Sequence, residues 1–156
     1  MSHIKVEIQH ERFDIEHEIQ TLTSGKKNIG AIVSFTGLCR DEDNTLEALE
    51  IEHYPGMAEA EITRICELAN QRFDLNGIRV IHRYGKIESG DQIVLVITAS
   101  KHRQSAFDGA NFIMDFLKTD APFWKKNHAL NKLDDTSDGE WVSARETDTK
   151  AHDKWG

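Results

Sequence analysis

Three lysines frame the segment Lys118-Thr119-Asp120-Ala121-Pro122-Phe123-Trp124-Lys125-Lys126, which joins ammonium groups to a proline and two aromatic rings directly after an apolar stretch of helical spacing. A lysine desolvated beside aromatic rings or other cations loses part of its proton affinity. It can then act as a general acid, base or nucleophile near neutral pH. The same groups can instead hold an anion, or form a solvated cationic loop with no chemistry at all. Three further segments combine glycine, aromatic or cationic side chains at predicted strand and helix ends: Phe35–Arg40, His53–Met57 and Ser100–Arg103. Arginines beside a histidine offer forked donors suited to a phosphate, and lysines can stabilise developing negative charge. Lys101–Arg103 also precedes a predicted helix N-terminus, whose backbone N–H groups favour an anion.

The elements that must position these groups fit one domain spanning residues 1–156, long enough for a real core at 38% hydrophobic residues. A formal charge of -8 argues against general nucleic-acid binding, which relies on neutralising phosphates. Cationic function must therefore be local, and between Lys101 and Lys126 the lysines and arginines outnumber the aspartates. Such a patch suits a small anionic ligand or an acidic partner. The N-terminus has no apolar core of signal-peptide length and no run is long enough to span a bilayer, so a cytoplasmic location is expected. The two cysteines form no metal-knuckle or redox spacing. Cys66 falls in a helical apolar stripe, whereas Cys39, beside Arg40, is a candidate for a lowered thiol pKa.

Alternation of Ile4, Val6 and Ile8 predicts a first strand, and Ile15, Ile19 and Leu22 a helix capped by Asp14. Strands are predicted over Ile29–Phe35 and Leu46–Tyr54, joined by an acidic loop. Ala58, Ile62, Ile65, Cys66, Ala69 and Phe73 mark one face of a second helix, stopped by Asn76-Gly77. Ile78–Tyr84 and Gln92–Ser100 read as paired strands around a turn from Lys86 to Asp91, the second apolar on both faces like a central strand. Ser105 is the expected cap of a third helix carrying Ala106, Ala110, Ile113 and Leu117, with Lys118 in its last turn and Pro122 preventing continuation. A lysine there is favoured by the helix dipole and needs no function. Residues 127–140 are expected to form a mobile loop, and Glu140–Ala144 a short final strand. The pattern predicts an α+β fold: a mixed, largely antiparallel sheet with about three helices packed largely on one face. No dinucleotide fingerprint, phosphate-binding P-loop or metal-ligand cluster appears, so no cofactor or metal is expected.

Taken together, the segments resemble the large, catalytic subunit of molybdopterin synthase. The likeness spans about Ile29 to Trp141 and is most specific at Glu52–Met57, Phe112–Thr119 and Ala121–Lys126. His82-Arg83-Tyr84-Gly85 with Gly90-Asp91, and His102-Arg103 with Ala106-Phe107, fit the same family in the same order. The resemblance implies an α/β hammerhead fold and a sulfurtransferase converting cyclic pyranopterin monophosphate to molybdopterin. It implies as sulfur donor the C-terminal Gly-Gly thiocarboxylate of a small ubiquitin-like carrier, bound to a dimer of large subunits in a heterotetramer. By matching motif, Lys118 is the main catalytic lysine and Lys125 a second, while Arg40, His102 and Arg103 form an anion site. Leu38, Cys39, Lys126 and Asn127 border the substrate pocket in the same likeness, through backbone or shape. Phe35 and Pro122-Phe123-Trp124 shape a channel for the glycine tail, or serve the core.

Two other readings use residues on the same segments. A binding module for a phosphorylated metabolite or a ubiquitin-like tail would need the cations but not both lysines, since arginines serve binding alone. A hydrolase built from Ser100, His102 and Asp91 lacks a nucleophile-elbow motif.

Overall fold

The computed structural model describes residues 3–41, 46–120, 122–129, 140–142 and 155. The chain runs β1 (Ile4–Gln9), α1 (Ile15–Thr23), β2 (Ala31–Leu38), β3 (Leu46–His53), α2 (Met57–Phe73), β4 (Gly77–Arg83), β5 (Gly85–Glu88), β6 (Gln92–Ser100), α3 (Arg103–Thr119), β7 (Phe123–Ala129) and β8 (Glu140–Val142). The strands form two four-stranded sheets, ordered β1-β4-β6-β2 and β5-β3-β7-β8. Only β1 and β4 pair in parallel among the described residues. This is the expected α+β class, mixed and largely antiparallel with three helices. None of the described helices is long and apolar enough to cross a membrane.

Strands β4 and β6 are buried on both faces because both faces are covered. Ile78, Val80, Val94 and Val96 join Ile62, Ile65 and Cys66 of α2 and Phe112 and Ile113 of α3 in the larger core. Ile81, Leu95 and Ile97 point the other way and pack with Phe13 against Ile15, Ile19 and Leu22 of α1. Each such fully buried aliphatic side chain contributes about 1.5–3 kcal/mol. Helix α1 is thus the exception to helices on one face, because the second apolar row of β4 and β6 also needs a cover. An arginine fastens it: Arg79, 5% exposed, donates from Nε to Glu18 Oε1 on α1 (2.6 Å) and from Nη2 to Glu7 Oε1 on β1 (3.1 Å).

Local details differ from the sequence pattern for identifiable reasons. Asp14 caps α1 as expected, accepting from His17 N at 3.2 Å. Helix α3 instead starts at Arg103 after an extended His102, with no side-chain cap, and Ser105 lies inside its first turn. The start is set by packing: Ala106 is fully buried and its carbonyl accepts from Thr98 Oγ1 of β6 at 2.6 Å. Helix α2 stops at Asp74, left-handed at φ 54°, before Asn76-Gly77, because Leu75 turns back into the core. Gly85, at φ 89°, swings the chain from β4 into β5, so Gly85–Glu88 is a strand paired with β3 and not a turn.

The loop expected over 127–140 is corrected at both ends. Residues 127–129 continue β7, where Asn127 pairs with Leu49 and with Glu140, and His128 with Ala48. Backbone pairing with β3, joined at Asn127 by β8, outweighs the polar composition there. Residues 130–139 lie outside the described residues. Glu140 opens the short final strand, as expected.

Gly30 holds the start of β2 against the end of β6, donating its N–H to the Ser100 carbonyl at 2.9 Å. A Cβ at Gly30 would collide with the Lys101 carbonyl oxygen, which is backbone and cannot rotate away. Gly30→Ala is therefore expected to lower stability in urea denaturation by about 2–3 kcal/mol, outweighing the ~0.5 kcal/mol gained from a stiffer unfolded chain.

Candidate active site

Where the end of α3 meets the two sheets, five elements leave a cleft of about 90 Å³. Its walls are Phe35 and Leu38 of β2, Val94 of β6, Leu117 of α3 and Phe123 of β7, and the lysines Lys118 and Lys125 open into it. Lys118 occupies the last turn of α3, where a cation also complements the helix dipole. Lys125 follows Phe123 at the two-residue strand interval, so both side chains leave one face of β7. Lys118 is exposed and Lys125 half-buried, so the cleft is open to solvent on the lysine side.

The floor of the cleft is His82, at the end of β4 on the same face as Ile78 and Val80. Its ring stacks on Phe123 at 3.8 Å and 15°, joining the first sheet to the second. Nδ1 lies 2.8 Å from the Arg83 carbonyl oxygen. Burial pushes the proton affinity of His82 down to a pKa of about 3, with Lys125, Lys118 and His53 adding to the depression. The imidazole is therefore neutral between two cations. Around this stack runs an aromatic rim: His53 lies 4.8 Å from Tyr84, and Tyr54 meets Trp124 edge-on at 4.3 Å.

Cys39 and Arg40 follow Leu38 at the mouth. Cys39 is clamped by backbone bonds, donating to the Asp91 carbonyl (2.8 Å) and accepting from Gly90 N (2.6 Å). Its thiol is 2% exposed and its pKa is raised, by burial first. This corrects the lowered pKa expected from Arg40: the side chain faces the core, so desolvation outweighs any nearby cation. Arg40 itself is exposed. Lys126 and Asn127 extend β7 opposite Glu50 and Leu49, and their side chains lie outside the described ones.

His102 and Arg103 do not reach this cleft within one chain. They sit exposed at the other end of α3, about 24 Å of helix from Lys118 at 1.5 Å per residue. Arg40 and His102 likewise lie beyond opposite ends of the β2–β6 pair, in which Ala31 faces Ser100 and Leu38 faces Gln92. The same geometry separates Asp91 from Ser100 by the length of β6, which excludes the hydrolase triad within one chain. No three potential metal ligands cluster among the described residues. A larger hollow of about 170 Å³ beside α1 is lined by Arg79, but Glu7 and Glu18 already engage that guanidinium.

Sequence reasoning placed Lys118, Lys125, Leu38 and Phe35 where the cleft is, and noted His82 only as part of a motif. The available signal was its parity with Ile78 and Val80, which places it on the buried face of β4.

Comparison with known proteins bears on this cleft. The family model described as "MoaE protein" matches residues 8–120. The chain is 58% identical over 152 residues to the molybdopterin synthase catalytic subunit of Rhizobium meliloti (strain 1021), covering 97% of this chain and 96% of that protein. Among solved structures it is similar to the molybdopterin biosynthesis MoaE protein of Burkholderia ambifaria MC40-6, with 39% identity, a TM-score of 0.82 and 98% of both chains covered. It is also similar to the molybdopterin synthase of Staphylococcus aureus, with 26% identity, a TM-score of 0.77, and 87% of this chain and 95% of that one covered.

The buried imidazole has a consequence for stability. An unfolded histidine binds its proton near pH 6.5 and folded His82 only near pH 3, so its contribution is complete above 6.5 and is lost as pH falls toward 3. Urea denaturation of wild type and His82→Phe should show the stability difference shifting against wild type by about 2 kcal/mol from pH 6.5 to 5. A pH-independent difference would show that folded His82 binds its proton as readily as the unfolded chain does.

Proposed function

The chain belongs to the MoaE protein family, and from that premise we propose that it is the catalytic subunit of a molybdopterin synthase. The reaction converts cyclic pyranopterin monophosphate to molybdopterin, with sulfur from the C-terminal thiocarboxylate of a small ubiquitin-like carrier. The observation that carries the reading is the convergence of Lys118 and Lys125, from a helix end and a strand of the second sheet, on one apolar-walled cleft.

A narrow cleft with aromatic and aliphatic walls accepts a Gly-Gly tail, which has no side chains to exclude. The two ammonium groups then face its charged terminus. A thiocarboxylate is ionised at neutral pH, so the nucleophile needs no base. The protein's task is positioning and charge control. Lys118 and Lys125 stabilise the developing negative charge on the acyl group and on the opening cyclic phosphate, and a lysine can carry protons as carbonyl, thioester and water exchange. Leu38 and Phe35 line the approach, and Cys39 contributes through its clamped backbone. Lys126 and Asn127 border the substrate along β7.

Arg40, His102 and Arg103 make one anion site only if two copies contribute. The α3 N-terminus of one copy would meet the Arg40 end of β2 of the other, which accords with a homodimer inside a heterotetramer.

Lys118→Ala is expected to fold normally and to bind the thiocarboxylated carrier, while single-turnover conversion falls by about 10²-fold or more. Retained turnover would contradict the assignment. Shared sites make a second expectation: Lys118→Ala and Arg103→Ala chains, each inactive alone, should recover about a quarter of wild-type activity when randomly mixed, since mixed dimers keep one intact site. No recovery from verified mixed dimers would place both residues in one copy's site.

A further inference from the structure

His82 has no part in the scheme above, yet it stands in the wall of the cleft with both lysines. Its ring is fixed by the stack on Phe123 at 3.8 Å and by the 2.8 Å contact of Nδ1 with the Arg83 carbonyl. A carbonyl only accepts, so the proton sits on Nδ1 and the neutral ring keeps a bare lone pair on Nε2. That lone pair has no hydrogen-bond partner among the described residues. The titratable groups that act on the ring are Lys118 from α3, Lys125 from β7 and His53 from β3. Lys125 already has an interaction, whereas Lys118 makes no hydrogen bond or ion pair among the described residues. An unused acceptor and an unused donor thus share one small cleft.

We propose that His82 is a positioning residue for sulfur transfer, its Nε2 accepting a hydrogen bond from the Lys118 ammonium and turning that group into the cleft. The inference rests on the sulfur-transfer reading of the site. A lysine at a helix end has a flexible four-carbon stem, and a fixed acceptor removes much of that freedom. The chemistry of the acceptor matters. A carboxylate in this place would cancel the charge that must meet the anionic tail. A neutral imidazole directs the ammonium and leaves its charge intact, and burial keeps His82 from becoming a third cation.

Two measurements test this on the full-length protein. In long-range 1H–15N spectra of the imidazoles, the His82 Nε2 resonance is expected to shift between wild type and Lys118→Met; an identical resonance overturns the contact. In single turnover with thiocarboxylated carrier, His82→Phe keeps a ring against Phe123 but lacks the acceptor, and its rate should fall about 10- to 100-fold with carrier affinity unchanged. His82→Gln, whose side-chain oxygen can accept, should recover part of that loss. A folded His82→Phe at wild-type rate, or a folded His82→Gln no faster than His82→Phe, overturns the role. If His82→Phe does not fold, the spectra decide. Failure of the wild type to form product would sink the sulfur-transfer reading, while the spectra would still decide the His82–Lys118 contact.

Discussion

Covering β4 and β6 on both faces is the constraint from which the rest of the architecture follows. Ile78, Val80, Val94 and Val96 require α2 and α3 on one side, and Ile81, Leu95 and Ile97 require α1 on the other. Because β6 leads directly into α3, the helix must run back over the sheet it has just left. Its first residues then lie near the end of β6 and its last near the beginning. The separation of His102 and Arg103 from Lys118 is thus a product of topology, and so is the meeting of Lys118 with β7.

The electrostatics of the cleft follow from the same burial. A histidine at the end of β4 inherits the dry environment of the strand, and its stack on Phe123 seals the junction between the two sheets. The chain carries a net charge of -8, yet among the described residues the polar side chains that open into the cleft are two cations and one neutral base. Local charge decides what enters at contact distance, while the net charge acts over longer range and is screened by salt.

Much of this was legible in the sequence, and the failures have physical causes. Period-two and helical spacing located the strands and helices, since burial enforces those periods. The third helix began before Ser105 because contact with Thr98 fixed its first turn, a tertiary effect invisible to capping rules. Polar composition suggested a loop at Asn127 and His128, where backbone pairing with β3, and at Asn127 also with β8, makes a strand. The lysines were found because cations beside aromatic rings are conspicuous. His82 was not singled out because one histidine in an apolar strand carries no pattern of its own, and its importance comes from Phe123, forty-one positions later. The distance between Arg40 and His102 needed the strand register, which spacing along a chain cannot supply.

Both cysteines are buried, Cys66 with its thiol pushed up to about 12 by desolvation and Cys39 raised for the same first cause. Neither presents a thiolate at neutral pH, and a thiolate is what exchanges with other sulfur species. For a protein that handles sulfur this amounts to chemical isolation. An acyl thiocarboxylate arriving on a carrier meets no cysteine thiolate that could take its acyl group as a thioester and release the sulfur as sulfide. An isotopic label introduced there should therefore reach product undiluted by sulfur from these two side chains.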